Sequence, residues 1–79
     1  MFCYVYLLES HCGSHFYVGR TSSLSQRLEK HNAGEVPHTA KFRPWRIRTA
    51  LAFDAEERAV QFERYLKSSS GRAFAKKRF

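Results

Sequence analysis

Residues 2–19 read FCYVYLLESHCGSHFYVG, and this stretch decides the fold. Its first half, residues 2–9, is short, aromatic and β-branched, which is the composition of a strand. Both alternating faces are apolar, with Phe2, Tyr4, Tyr6 and Leu8 on one and Cys3, Val5 and Leu7 on the other. A strand apolar on both faces belongs in the middle of a sheet, covered from two sides. Residues 10–14 (SHCGS) carry turn chemistry around Gly13, and residues 15–19 (HFYVG) read as a second strand, so the opening is a β-hairpin. A turn centred on His11 and Cys12 sets Tyr6 directly opposite Tyr17 on one sheet face. Cβ atoms in such a pair stand about 4.5–5.5 Å apart.

The remaining elements follow outward from the hairpin. Ser23 with Gln26 matches a capping box, Leu24 and Leu28 supply an apolar stripe, and Gly34 is a helix stop after Ala33. Residues 35–44 form a loop holding Pro37 and Pro44. Trp45 to Phe53 alternates as a third strand, with Arg46 and Arg48 on one face and Ile47 and Thr49 on the other. Asp54 with Glu57 predicts a second capping box and a helix to about Lys67, with Ala55, Ala59, Phe62 and Leu66 inward. Ser68 to Gly71 breaks the chain, and a short basic helix ends it. The order ββαβαα predicts an α+β fold, a small three-stranded antiparallel sheet flanked by helices, in one domain over residues 1–79.

Charge narrows the function. Fourteen Lys and Arg against seven Asp and Glu give a formal net charge of +7 and a pI of about 9.9. Lys41, Arg43, Arg46 and Arg48 form one run without acids, and Lys67, Arg72, Lys76, Lys77 and Arg78 form another. Clustered positive charge draws polyanions and makes their binding salt-dependent, so nucleic acid is the expected partner. No helix pairs a broad basic face with a strongly apolar one, which argues against a membrane surface. Glu9 and His11 interrupt the N-terminal apolar run, and no stretch approaches the roughly 20 apolar residues that span a bilayer. Cys3 and Cys12 make no disulfide framework, and a reduced cytoplasmic location is the expectation.

Several side chains have the right types for chemistry. Tyr6 and Tyr17 bring two phenols to one spot, or else form a core pair with satisfied hydroxyls. Arg27 and His31, four residues apart, project together from the first helix. Arg27 borders the apolar stripe, where a guanidinium can reach a phosphate or simply face solvent. Glu63 borders the inward face of the later helix, and a carboxylate beside a core needs a partner. A hydrated divalent cation is one partner, and Arg27 is another.

In order along the chain stand Tyr4-Val5-Tyr6, Tyr17-Val18-Gly19, Arg27 with His31, and Glu63. This arrangement resembles the GIY-YIG nuclease family over nearly the whole chain, most closely its small single-domain bacterial-type members. Their ends run much like ERYLKSSSGRAFAKKRF here. Tyr4 stands where the name-giving glycine would be, and Arg20 where some relatives carry lysine. No asparagine follows Asn32, so the late polar ligand of larger relatives is missing, or replaced by a serine among Ser68 to Ser70.

The resemblance implies an Mg²⁺-dependent (or Mn²⁺-dependent) endonuclease that hydrolyses DNA phosphodiester bonds in repair, recombination or processing. It implies Glu63 as the ligand of a single divalent cation, Arg27 on the phosphoryl oxygens and Arg20 positioning the phosphate. Tyr17 or Tyr6 would orient or deprotonate the water, with His31 relaying the proton. A phenol of ordinary pKa about 10 then needs a nearby cation to lower it. Lys41, Arg43, Lys76, Lys77 and Arg78 are the expected further DNA contacts, and a protein partner is a candidate source of specificity. The competing reading is a non-catalytic or partner-dependent nucleic-acid-binding module with the same fold. A zinc site from His11, Cys12 and His15 with Cys3 or His38 matches no common ligand spacing. No strand carries the aromatic signature of an RNA-recognition sheet.

Overall fold

The computed structural model describes residues 1–79. The chain forms β1 (Cys3–Ser10), β2 (Phe16–Thr21), α1 (Leu24–Asn32), a 3₁₀ turn (Ala40–Phe42), β3 (Trp45–Phe53), α2 (Glu56–Leu66) and α3 (Ser69–Arg78). The sheet order is β2-β1-β3, and both neighbours run antiparallel to β1. This is the expected α+β architecture in the expected ββαβαα order.

The doubly apolar first strand takes the centre. Its residues Val5 to Ser10 are all buried, and each face receives a different layer. On one face, Val5 packs with Ala59, Leu66 and Ala75 of α2 and α3, bordered by Val18, Phe53 and Phe62. On the other, Tyr6 and Leu8 pack with Trp45, bordered by Tyr17, Leu24, Leu28 and Ile47. Because β2 and β3 flank β1, the β2–α1–β3 connection carries α1 across the second face. Val5, Leu8 and Leu66 are essentially fully buried, and each such side chain contributes about 1.5–3 kcal/mol relative to exposure.

Three local readings are corrected. The hairpin register pairs Tyr6 with Gly19 and Leu8 with Tyr17, two residues away from the expected Tyr6–Tyr17 pair. The turn is longer than expected, running through Gly13 at φ +76, with the Ser10 amide donating to the His15 carbonyl. A shift of two residues preserves facing, so the tyrosines still share a face, as diagonal neighbours. Neither expected capping box forms. Ser23 is the N-cap residue of α1, but its side chain accepts no cap hydrogen bond; its amide donates instead to Thr21 Oγ1. The N-cap residue of α2 is Ala55 rather than Asp54. The true side-chain cap lies where the sequence reads as a break: Ser68 Oγ accepts from the Gly71 amide and opens α3. Gly71 is buried, and a Cβ there would strike the Tyr65 carbonyl, so α3 packs backbone-close against the end of α2.

Glu9 explains part of the basic run. Its carboxylate accepts from Arg46 at 2.6 Å and from Arg48 at 3.2 Å, across a register shift in the β1–β3 ladder. The Arg46 hydrogen bond, aided by Arg48, holds Glu9 below the usual carboxylate range. Two of the four cations read as an acid-free run are therefore partnered from the neighbouring strand β1, far away in sequence. No helix is long and apolar enough to cross a membrane.

Candidate active site

The site is built around β2, an edge strand, from residues on both faces of the sheet. On the α1 face, the Tyr6 hydroxyl lies 3.1 Å from His31 Nε2, and His31 Nδ1 lies 2.7 Å from Thr39 Oγ1. Thr39 Oγ1 in turn donates to the Val36 carbonyl at 3.3 Å. Tyr6, His31 and Thr39 are all buried, and no buried side-chain polar atom in the protein lacks a partner. The result is a satisfied neutral chain of the kind that fixes a ring in one orientation. Tyr17 completes the cluster, with its ring 4.9 Å from His31 and 6.4 Å from Tyr6, centroid to centroid.

Gly19 makes this arrangement possible. A Cβ at Gly19 would fall on the Tyr6 hydroxyl, so only glycine lets that phenol lie across β2. The sequence marks Gly19 as part of a motif, and an interior strand glycine signals a close approach. Its role as a seat for Tyr6 becomes visible only once the register is known.

The electrostatics of the two rings follow from burial. Burial pushes the Tyr6 phenol up, Tyr17 adds to this, and Arg27 only partly opposes it. At Tyr6 the protein's own cation, Arg27, does not lower the phenol below its ordinary value, and the ring is held neutral. Burial, with the positive charge of Arg27, pushes His31 down, so His31 is neutral at pH 7.

On the opposite face, Glu63 accepts from Arg20 Nε at 3.1 Å and from Lys67 Nζ at 3.0 Å. The bland partner expected for Glu63 was Arg27; the partners found are Arg20 and Lys67. Burial raises the Glu63 carboxyl, but the hydrogen bonds and charges of Lys67 and Arg20 outweigh it and hold it below the usual carboxylate range. The side chain keeps 18% of its surface exposed, so it is ionised and reachable. Lys67 was legible as a partner, being four residues after Glu63 on one helix. Thr39, in an irregular loop, gave no signal.

The Arg27 side chain makes no ion pair or hydrogen bond within the protein, while its amide donates to the Ser23 carbonyl. With Arg20 it lines a recess of about 400 Å³ at the edge of the sheet, beside Thr21 and Ser22. The structure thus gathers Tyr6, Tyr17 and His31 into one cluster, sets Arg27 beside them, and brings Arg20 to the recess from Glu63. The other expected contacts lie apart. Lys41 and Arg43 are exposed on either side of Phe42, whose ring stacks on His15 at 3.7 Å. Lys76, Lys77 and Arg78 occupy the last turn of α3. Ser68 serves as a helix cap and is engaged in place. The zinc alternative finds no support in the geometry, since Cys3 and Cys12 lie at opposite ends of β1, and no three His, Cys, Asp or Glu side chains converge as metal ligands.

Two tyrosines on one face of a three-stranded sheet, a helical arginine and histidine, and a carboxylate on a later helix are the arrangement that the resemblance to a nuclease family calls for. The GIY-YIG catalytic domain matches residues 2–78, and the chain belongs to that family. Among solved structures the chain is similar to the UPF0213 protein from Bacillus halodurans, determined by solution NMR. The two are 32% identical with a TM-score of 0.56, covering 95% of this chain and 82% of that one. No curated protein matches the chain.

Proposed function

We propose that the protein is an endonuclease that hydrolyses DNA phosphodiester bonds with one divalent cation, Mg²⁺ or Mn²⁺, held by Glu63. The observation that carries this reading is the shared recess. Arg20, tied to the carboxylate on one face, and Arg27, beside the phenol–imidazole cluster on the other, line the same space. A phosphate in that recess meets two guanidiniums, one of which is bonded to Glu63 outside the recess, and shares the space with the exposed Glu56 carboxylate.

The donor set fits such a cation. Mg²⁺ takes one or two carboxylates and keeps several waters, and Glu63 offers one ionised, reachable carboxylate. A bound cation stabilises the charge that develops on the departing 3′-oxygen. The protein's residues do the rest. Arg27 stabilises the charge growing on the phosphoryl oxygens, and Arg20 positions the phosphate once it shares Glu63. Tyr17, half-buried at the mouth of the cluster, orients the attacking water.

The proton leaves through Tyr6 and His31. With Thr39 donating to Val36, His31 Nδ1–H donates to Thr39 and Nε2 accepts from Tyr6. Tyr6 receives the water's proton as its own passes to Nε2, so no free phenolate forms. His31 is then a transient imidazolium, which burial and Arg27 disfavour and which returns its proton along the same bond through Tyr6. Lys41, Arg43, Lys76, Lys77 and Arg78 extend the contact to flanking phosphates. The setting is DNA repair, recombination or processing in the cytoplasm, with a protein partner as a further source of specificity.

The test is cleavage of single-stranded, nicked, flapped and branched DNA with Mg²⁺, Mn²⁺ or EDTA. The expected result is cation-dependent cutting of at least one substrate, abolished by EDTA. Salt-sensitive binding without cleavage under any cation would instead establish a binding module.

A further inference from the structure

A second concavity lies on the α2–α3 side of the sheet, away from Tyr6 and His31. It encloses about 610 Å³, within the range of pockets that hold a small organic molecule. Leu7, Val18 and Leu66 form its apolar floor. Phe16 stands at one side with 46% of its surface exposed, and the Arg48 guanidinium lies 5.6 Å from its ring centroid.

The rim is cationic and carries no acid. Arg48 is held by Glu9 and Lys67 by Glu63, but Arg72 and Lys76 make no ion pair and sit four apart on α3. Two free positive charges beside an apolar floor and an exposed aromatic ring call for a ligand with both an apolar face and a negative charge.

We propose that this groove binds an unpaired nucleotide segment of the DNA substrate, with a base against Phe16 and the floor and its flanking phosphates on Arg72 and Lys76. The inference rests on the nuclease reading and adds to it a substrate class, DNA with a single-stranded portion. A duplex presents phosphates and base edges but keeps its base faces stacked, so it has nothing to place on an apolar floor. An unpaired base offers its π-face to an aromatic side chain. Continuity favours nucleic acid over an acidic peptide: Lys67 lies on the groove rim and bonds Glu63. A strand cut at the recess would reach the groove along β2, from Arg20 past Val18 to Phe16.

The experiment measures binding of labelled oligothymidylate and of a blunt duplex in EDTA, for the wild type, Phe16→Ala and Arg72→Gln. Phe16 is exposed, so its truncation leaves the fold intact, which melting temperature verifies. Phe16→Ala is expected to weaken single-strand binding about tenfold and leave duplex binding unchanged. Arg72→Gln is expected to lower the salt slope of single-strand binding by about one.

Equal weakening of both ligands by Phe16→Ala, or no change in either, overturns the proposal, as does an acidic peptide whose binding is weakened by Phe16→Ala when oligothymidylate binding is not. A wild type that binds single strands through Phe16 but cuts no DNA overturns the nuclease reading and keeps the groove. A wild type that cuts DNA while Phe16→Ala binds normally does the reverse.

Discussion

The two faces of the sheet handle charge in opposite ways. On the α1 face, Tyr6, His31 and Thr39 form a buried, neutral and fully satisfied chain. On the α2 face, Glu63 is ionised and partly exposed, and holds two cationic side chains. A buried neutral chain keeps its geometry. An exposed ionic cluster exchanges partners, because Lys67, about half exposed, gives up little by returning to water. The difference teaches that the same edge strand, with a glycine at its middle, can join a rigid hydrogen-bonded chain to an exchangeable ionic cluster.

The largest effect is expected from Glu63→Gln, which removes the charge that holds a cation. Cleavage should fall by roughly a hundredfold or more, measured as initial rate at fixed Mg²⁺, while DNA binding persists or tightens. Loss of the pairs with Arg20 and Lys67 should lower stability by only about 1 kcal/mol. A variant that melts much earlier yet cuts normally would make Glu63 a structural ion-pair partner.

The tyrosines should then part company. Tyr6→Phe leaves His31 Nε2 buried without a partner, at a cost of about 1–3 kcal/mol in denaturant unfolding. Tyr17, whose hydroxyl makes no protein hydrogen bond, should tolerate Phe with a loss under about 0.5 kcal/mol. Equal losses would erase the distinction between the buried and the mouth phenol.

A smaller effect concerns pH. His31 has its folded pKa pushed below its ordinary value, about 6.5, so folding favours the neutral ring. The stability this contributes is present above about pH 6.5 and is lost as pH falls below it, toward the folded pKa. Glu9 and Glu63 are pushed down as well, but their share is lost only as pH falls below the ordinary carboxylate range, near 4.5. Melting temperature between pH 7 and 5 should therefore decline more in the wild type than in His31→Gln. Parallel declines would show His31 to be reachable by protons at no cost.

The mildest prediction concerns the last turn of α3. Replacing Lys76, Lys77 and Arg78 with glutamine should weaken DNA binding across sequences and flatten its salt dependence, by up to about one unit of slope per charge. An unchanged slope would make the turn a solvated end.

The element order and the central place of β1 were legible in the sequence because periodicity and apolar faces are local signals. The hairpin register was not, because moving the turn's centre by one residue, from His11-Cys12 to Cys12-Gly13, slides the strands by two without changing which face a side chain takes. That is why the tyrosine pair came through with the wrong direct partner and the right face. Capping boxes misled at both expected sites, since a matching spacing does not oblige the side chain to close the bond, whereas Ser68 caps a helix inside an apparent break. The site residues were readable as types. Their partnerships were not, because Arg20 with Glu63, Glu9 with Arg46, and His31 with Thr39 all join residues from different elements.

The central claim is that the two faces act on one phosphodiester, and a double-variant cycle tests it most directly. Cleavage rates are measured for the wild type, Glu63→Gln, Tyr6→Phe and the double variant, each verified as folded and DNA-binding. Groups that serve one transition state as a unit are strongly non-additive, so the double variant should be little slower than the slower single variant. Rate losses that multiply independently, or a Tyr6→Phe protein that cuts at the wild-type rate, would contradict the account.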